Sequence, residues 1–548
     1  MKNTKTYSCG CCFETDSNGR VLYVPDITKL PLDCSRTWDM VCDGNTKGVF
    51  QLESQLGRSL ASQAKPRNIE ELSDLIAIMR PGCLEAMVKG KSLTQHYISR
   101  KHKEEEVDYF HPALEPILES TYGILVYQEQ AILIATEIAG FDLQEADILR
   151  KAIGKKNAKV MASVKESFIE KAIDKKIVNK EQAQEIFSWI EKSQRYSFNK
   201  SHSVSYAYNS YLTAYTKAHF PHEFFTSYLK HAVGKPDTYW EVHELVNNAK
   251  IMGINVLPPN ILHMNEEFKL INNYPTYGIT NIKHVGASVF RKMIKDIEKN
   301  NIDLSECDWG CFLLRVSPFV NKKAFESLIL AGAFDCFKMK RSEMQHHFST
   351  IKELTKRETE WLKDYKEANP ESTVQESILE MIKASEGSSK GRPIFRKSRI
   401  PDVEALLSAY DNPGYDLYDS PSWLAKKEDE LLGISLTCNK VDEYDTSNAN
   451  CTCKEFIDGF RSQDGISLAV QVESVREWTI KKGKSKGSKM GFITVSDTSC
   501  SMDSVTAFSE EWEKFKKIIY EGNTVLMRGM RDSKRGSFLI KKVEQLRT

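Results

Sequence analysis

Residues 149–156 read LRKAIGKK, and residues 196–208 read YSFNKSHSVSYAY. In the first stretch Arg150 and Lys151 close one helical run, Gly154 permits a tight turn, and Lys155 and Lys156 open the next. A helix start offers unpaired backbone N–H groups, and flanking cations suit phosphate oxygens. Residues 148–180 around it hold ten Lys or Arg against three Asp or Glu, the most concentrated positive patch in the sequence. Such a patch also suits the solvated basic face of a helical domain. In the second stretch Asn199, Lys200, Ser201 and His202 stand between Tyr196 and Phe198 on one side and Tyr206 and Tyr208 on the other. Hydrogen-bonding side chains beside aromatic rings suit a nucleotide, which offers a flat base, a sugar and charged phosphates. The competing reading is a core histidine among aromatics. Tyr208, Tyr211 and Tyr215 recur at helical spacing, as core residues do.

Outward from these stretches, residues 48–270 read as predominantly helical. Apolar residues recur at three- and four-residue steps over 69–79, 131–139, 161–173, 181–192 and 204–220. Three short motifs lie within this region: GVFQLES at 48–54, RPG at 80–82 and TYGILVYQEQ at 121–130. Residues 1–47 read as short strands and turns, with Val21-Leu22-Tyr23-Val24 followed by Pro25 and Pro31. Residues 271–337 give a strand-like piece and two short helices ending in AGAF at 331–334. The charge-rich stretch 338–429, with GSSKGRP at 387–393, reads as insertion or linker. From 430 the period falls to two. Leu468, Val470 and Val472 alternate, as do Phe492 and Thr494, then Val505 and Ala507, before Val525-Leu526-Met527 and Phe538-Leu539-Ile540. The fold class expected is multidomain and mainly α, with a C-terminal β-barrel.

Composition narrows the function classes. At 548 residues and roughly 150 residues per domain, three or four domains fit. The 76 Lys and Arg almost cancel the 75 Asp and Glu, so any nucleic-acid surface is a local patch. No run of 18 apolar residues occurs, and the start MKNTKTYSCG lacks the apolar core of a signal peptide. A cytoplasmic protein with no membrane partner is expected. The 13 cysteines, an odd number, then read as reduced thiols. Cys9, Cys11 and Cys12 form the densest group, with Cys34 and Cys42 downstream. Their C-x-C-C spacing departs from the C-x2-C pairs of a zinc ribbon. No metal ligand is assigned there or at Cys451 and Cys453.

The order of the motifs carries more than any one of them. GVFQLES, RPG, TYGILVYQEQ, LRKAIGKK and FNKSHS in succession resemble the fingers of the bacterial C-family replicative DNA polymerases, typified by the DNA polymerase III alpha subunit. The likeness continues through KAHFPHEF at 217–224 and MGINVLPPN at 252–260. It is dense over residues 37–335. It implies polymerase fingers at 48–270, a helix-hairpin-helix DNA-binding region at 271–337 and an OB-fold-like domain at 430–548. Residues 1–47 would be a palm remnant or a Cys-containing cap. By the same resemblance Arg150, Lys155 and Lys156 would contact a dNTP triphosphate. Asn199, Lys200 and His202 would line the same pocket, with Arg80 and the Gln128–Gln130 segment, Gln128 foremost, helping to place it.

The resemblance also says what to look for and not find. Family members hold two Mg2+ ions on palm carboxylates that include a P-D-x-D motif. No D-x-D occurs in this sequence. The Pro-Asp pairs at 25–26, 236–237 and 401–402 continue with Ile-Thr, Thr-Tyr and Val-Glu. Residues 1–47 are too few for a palm and thumb, and the family's N-terminal polymerase-and-histidinol-phosphatase domain is missing. A polymerase inactive alone is expected, with Mg2+ held mainly by a palm-bearing partner chain, or else a piece cut from a longer protein. The rival is a non-catalytic DNA-binding accessory protein that keeps the fingers fold.

Three further surfaces enter as expectations. YGITNIKHVGASVFR at 277–291 resembles the first half of a helix-hairpin-helix, giving Lys283 and Gly286 as DNA-backbone contacts, with a helical spacer as the alternative. The usual hairpin has two glycines, and His284-Val285-Gly286 keeps only the second. KKGKSKGSK at 481–489, between Trp478 and Phe492, places Lys481, Lys482, Lys484, Lys486 and Lys489 as contacts to primer–template DNA. Its alternatives are a flexible solvated hairpin and a core Trp478. QESIL at 375–379 offers Gln375, Ile378 and Leu379 to a sliding clamp, although Val374, Ile378 and Ile382 equally fit an amphipathic helix.

Overall fold

The periodic stretches of the N-terminal half fold as helices close to where their spacing puts them. They run Ile69–Ile78, Gln128–Ala139, Ala158–Asp174, Lys180–Ser193 and Lys200–His219. Local chemistry sets their starts: Asn68 accepts the Glu71 N–H, and Asn199 accepts the His202 N–H. The computed structural model describes residues 4–17, 21–155, 158–193, 197–299, 301–386, 393–462, 465–481, 485–533 and 536–547. The side chains of 154, 155, 158 and 319 lie outside that description. The chain divides into two units, Met1–Pro221 and His222–Thr548.

The first unit has separate apolar cores. One is built by helices Gln128–Ala139, Leu143–Lys155, Ala158–Asp174 and Lys180–Ser193 around Ile134, Leu149, Phe168 and Phe187. A smaller one gathers Ile78, Cys83, Tyr97, Val126 and Tyr127. Tyr211 and Tyr215 are buried as their spacing implied, and Tyr208 is half-buried. Residues 35–42, expected as strand or turn, are instead the helix Ser35–Cys42. Its spacing is helical: Trp38, Val41 and Cys42 fall on one buried face. Leu22 and Val24, expected in a strand, are exposed.

The second unit takes up the chain within the helix Pro221–Ala232 and continues with the helix Thr238–Ile251. A two-stranded hairpin, Lys269–Ile271 with Tyr274–Thr276, follows. Three helices come next rather than two: Ala287–Lys299, Trp309–Val316 and Lys322–Leu330. The reading of 338–429 as a charged insertion or linker is corrected. The stretch carries helices Arg341–Ile351, Lys356–Ala368, Val374–Glu386, Ile400–Asp411 and Pro421–Leu432, which bury Met344, Phe348, Leu362, Met381 and Val403 in the same core as Phe312 and Phe325. Its charges include pairs on solvent faces, as in the i,i+4 pair Lys356–Glu360. One pair is interior: Arg341 donates to the fully buried Glu428 at 2.8 Å. Part of GSSKGRP, residues 387–392, lies outside the described residues.

The tail closes into a five-stranded barrel. Its strands are Ile466–Thr479, Lys489–Ser496, Ser501–Ala507, Thr524–Arg531 and Phe538–Gln545. The order is fourth, fifth, third, second, first, with the first pairing back to the fourth. All pairings are antiparallel except that of the fifth with the third. The 14-residue first strand serves both neighbours because an irregularity at Val472–Ser474 lets it bend. Leu468, Val470, Val472, Val505, Ala507, Val525, Phe538 and Ile540 fill the interior. No helix among the described residues is long and apolar enough to cross a membrane.

Candidate functional site

Three motifs far apart in the chain converge on one helix, Lys200–His219. GVFQLES lies along its middle, where the Phe50 N–H donates to Thr213 Oγ1 at 3.1 Å and Ser210 Oγ donates to the Phe50 carbonyl at 2.8 Å. Lys217, fully buried, donates Nζ to the carbonyls of Asn45 and Lys47 just before that motif. Burial pushes its pKa well below the ordinary lysine value. TYGILVYQEQ meets the helix start. The Phe198 N–H donates to the Val126 carbonyl and the Gln128 N–H to the Phe198 carbonyl, each at 2.9 Å. Gly123 in this segment holds φ +75° against the 100–108 stretch: a Cβ there would stand 2.9 Å from Val107 Cγ1.

Glu129, which the sequence does not mark out from its neighbours in the Gln128–Gln130 segment, is the hub of the junction. One carboxylate oxygen accepts from Asn199 Nδ2 at 3.0 Å and the other from the Lys200 N–H at 2.9 Å. The carboxylate thus sits at the starts of two helices, where the dipoles favour negative charge. Gln130 supports the same turn, accepting the Val126 and Tyr127 N–H groups and donating to Thr121 Oγ1. For Gln128, the residue expected to act, the bond to this junction is made by its backbone N–H.

Around this start runs a strip of rings and cations. The Arg80 guanidinium carbon lies 3.6 Å from the centre of the Phe198 ring, a cation–π contact of about 0.5–2 kcal/mol. Phe198 meets His202 at 5.5 Å, His202 meets Tyr206 at 4.2 Å, and Tyr206 meets Phe50 at 5.1 Å between ring centres. His202 and Arg80 are exposed, so His202 is not the satisfied core residue that the alternative reading allowed. Lys200 Nζ lies 5.6 Å from the Tyr127 ring centre and 3.4 Å from Glu70 Oε1. Beneath the strip, buried Asp74 accepts from the hydroxyls of Tyr97 and Tyr127 at 2.9 and 2.7 Å. Burial raises its pKa to about 6 against the opposing pull of those hydrogen bonds.

The structure therefore brings together Arg80, Asn199, Lys200, His202 and the 128–130 turn. Arg150 is placed differently: it is an exposed residue of helix Leu143–Lys155 and pairs with Asp147 at 2.7 Å, as Lys151 does. Lys156 and the side chain of Lys155 lie outside the described residues.

In the second unit the segment before helix Ala287–Lys299 makes a turn, with the Val285 N–H donating to the Ile282 carbonyl at 3.1 Å. His284 takes φ +72°, the left-handed region that glycine enters freely and histidine enters at some cost. The Lys283 N–H donates to the Leu431 carbonyl, and its Nζ lies 5.7 Å from the Tyr239 ring centre. In the barrel, Trp478 is 40% exposed and Phe492 36%, so neither is core. Lys481 and Arg476 each lie 5.5 Å from the Trp478 ring centre. Lys486 is exposed, whereas Lys489 pairs with Glu477 at 2.6 Å. Lys482 and Lys484 lie outside the described residues.

Comparison with known proteins bears on these features directly. Residues 17–176 match the family model of the bacterial DNA polymerase III alpha subunit finger domain, and residues 253–344 match that of the helix-hairpin-helix motif. The DNA polymerase III subunit alpha of Aquifex aeolicus is 32% identical over 506 residues, 92% of this chain and 38% of that protein. That of Thermus aquaticus is 32% identical over 499 residues, 89% of this chain and 36% of that protein. The chain is a relative of the bacterial DNA polymerase III alpha subunit. The similarity takes in the finger domain and the helix-hairpin-helix motif, and the chain's own C-terminal barrel is OB-like. It spans about two-fifths of the length of the alpha subunits it matches.

Two expectations drawn from the alpha-subunit likeness meet the side chains. The magnesium ions of a two-metal polymerase do not fit Asp74 and Glu129, the carboxylates held within the strip's own hydrogen bonds. Both Asp74 oxygens accept from tyrosines and the side chain is 1% exposed, while both Glu129 oxygens accept from the Asn199–Lys200 turn. The clamp-binding reading of QESIL is corrected. Ile378 is buried in the helix Val374–Glu386, and Gln375 donates to Asp411 at 2.6 Å. Of the three residues only Leu379 is exposed, so the segment is the amphipathic helix that its spacing also allowed.

Proposed function

We propose that this chain supplies the dNTP-positioning and DNA-holding portions of a replicative DNA polymerase. The reaction is template-directed phosphodiester formation with release of pyrophosphate. The observation that carries this reading is the strip Arg80–Phe198–His202–Tyr206–Phe50, held at its base by the Glu129 clamp on Asn199 and Lys200. Flat faces suit a base or sugar, and Arg80 and Lys200 suit a triphosphate, which stays negatively charged even with a metal bound. Because Glu129 fixes the helix start through the protein's own hydrogen bonds, these groups are positioned before a nucleotide arrives. Arg150, Lys155 and Lys156 supply further cations for the triphosphate. Lys283, Gly286 and the 481–489 loop hold primer–template DNA through its backbone and exposed bases.

The catalytic carboxylates and their Mg2+ ions come from a palm-bearing polypeptide. The absence of D-x-D from these 548 residues and the full occupation of Asp74 and Glu129 support that assignment. The test compares Arg80→Ala, Lys200→Ala and Arg150→Ala with the parent chain in binding to a fluorescent dNTP and to primed DNA. Each substitution should weaken dNTP binding by about tenfold or more, a loss of at least ~1.4 kcal/mol, with little change in DNA affinity. Equal loss in both would favour a DNA-binding accessory protein that keeps the fingers fold as scaffold.

A further inference from the structure

The far end of helix Lys200–His219 carries different chemistry. The N-terminal hairpin pairs Thr4–Thr6 with Cys12–Glu14 and turns through Cys9-Gly10-Cys11. The Tyr7 N–H donates to the Cys11 carbonyl and the Gly10 N–H to the Tyr7 carbonyl, both at 2.9 Å. Gly10 holds φ +86°, so a tight turn sets the Cys9 and Cys11 thiols close together. Cys34 immediately precedes helix Ser35–Cys42, and His219 is the last residue of its own helix. These four residues, distant in sequence, meet: Sγ of Cys9, Cys11 and Cys34 and a ring nitrogen of His219 all lie within 4.8 Å of one another. His219 Nε2 stands 3.3 Å from Cys34 Sγ and 3.9 Å from Cys9 Sγ. Cys11, Cys34 and His219 are buried and Cys9 is half-buried. All three cysteines are free thiols.

A tetrahedral zinc ion with bonds of about 2.3 Å to sulfur and 2.05 Å to nitrogen requires S···N separations of ~3.6 Å and S···S separations of ~3.8 Å. The measured distances bracket the first value, and the 4.8 Å limit admits the second. We propose that Cys9, Cys11, Cys34 and His219 form a structural Cys3His zinc site. Three thiolates and one imidazole are a closed donor set, with no position left for substrate. Binding releases the thiol protons to solvent, and with Nε2 on the metal the ring proton resides on Nδ1. The grouping differs from the contiguous cluster in the sequence: Cys12 is exposed and bonds to Thr6, and the buried Cys42 donates to the Pro66 carbonyl.

The need for such a site is visible in the packing. Among the described residues from 4 to 33, only Cys11 and Phe13 are buried. Phe13 packs against Tyr7, Tyr23, Tyr215, His219 and Phe220. So small a core holds a segment weakly, and a metal ion is a common staple for one. Zinc here would fasten the N-terminal segment and the start of helix Ser35–Cys42 to the helix whose other end bears Asn199 and Lys200.

The test uses the full chain. Metal analysis of purified protein should find about one zinc per chain, and refilling the metal-free chain with Co2+ should give the intense thiolate-to-cobalt absorption and visible bands of a tetrahedral sulfur-rich site. Cys12→Ser should leave both unchanged, and Cys34→Ser should lower bound zinc to about a tenth or less. If Cys34→Ser does not fold, the cobalt spectrum of the unaltered chain decides by itself. A folded chain without zinc and without a cobalt–thiolate band overturns the site, as does full zinc retention by folded Cys34→Ser.

Discussion

The candidate nucleotide strip and the barrel loop both set cations beside aromatic rings, yet they are built in different ways. In the strip the polar groups are held by the protein itself: Glu129 grips Asn199 and Lys200, Arg80 lies on Phe198, and a buried Asp74–Tyr97–Tyr127 cluster supports the floor. In the barrel, exposed Trp478 is flanked by Arg476 and Lys481, on a two-stranded edge that leads into the lysine-rich turn. Pre-positioned groups recognise a ligand of fixed shape. Cations on an open loop instead follow a flexible chain of phosphates, with binding that weakens as salt rises. The lesson is that the partners of a cation, more than its presence, distinguish a nucleotide pocket from a strand-holding surface.

The largest effect should come from breaking the hub. Glu129→Ala removes two charge-assisted hydrogen bonds, each worth about 1.5–3 kcal/mol, and should cut dNTP affinity by about 100-fold. Single-stranded DNA binding by the barrel should be untouched, and parallel titrations with dNTP and oligonucleotide will tell. A sizeable effect on stability should follow from Asp74. Its pKa rises from 3.8 unfolded to about 6 folded, so between those values the folded state keeps a proton that the unfolded state has lost. Stability therefore falls as pH rises from about 4 to 6, by about 3 kcal/mol in all. Asp74→Asn should remove that fall, as urea unfolding across pH will register.

The barrel should respond more mildly and with salt. Trp478→Ala should cost about 1–3 kcal/mol of single-strand affinity, and replacing Lys481 and Lys486 by Ala should flatten the slope of log affinity against log salt by about 0.7 per lost phosphate contact. If the strip variants alter salt slope as strongly as the loop variants do, the contrast between the two regions fails. The smallest effect is none: Gln375→Ala with Leu379→Ala should give the same result as the parent chain in a sliding-clamp pull-down, because Ile378 is core and Gln375 is engaged by Asp411.

What the sequence made legible follows from what is local. Helix periods, the barrel's alternation and the tandem order of motifs all act over short spans, and each emerged in the fold. Convergence does not act locally. Phe50, Arg80, Glu129 and Asn199 are separated by dozens of residues, so no spacing rule joins them or marks Glu129 out within the 128–130 segment. Charge-rich composition misled at 338–429, where one apolar stripe per helix was enough to bury Leu362 and Val403. The thiols show the same limit from the other side. A zinc ribbon carries its ligands in paired runs, whereas here Cys34 and His219 lie far from the Cys9–Cys11 turn and meet it only in the folded chain. His284 shows a third case: the missing glycine was plain in the sequence, but not that histidine would take its left-handed conformation.

Primer extension on a primed template with Mg2+ and four dNTPs tests the central claim most directly. The purified chain is assayed alone and then together with a palm-bearing polymerase chain from the same source. Extension only in the mixture, lost with Glu129→Ala, is the result expected of fingers that position a nucleotide for carboxylates held elsewhere. Extension by this chain alone would place the metal-binding carboxylates within these 548 residues and contradict the account.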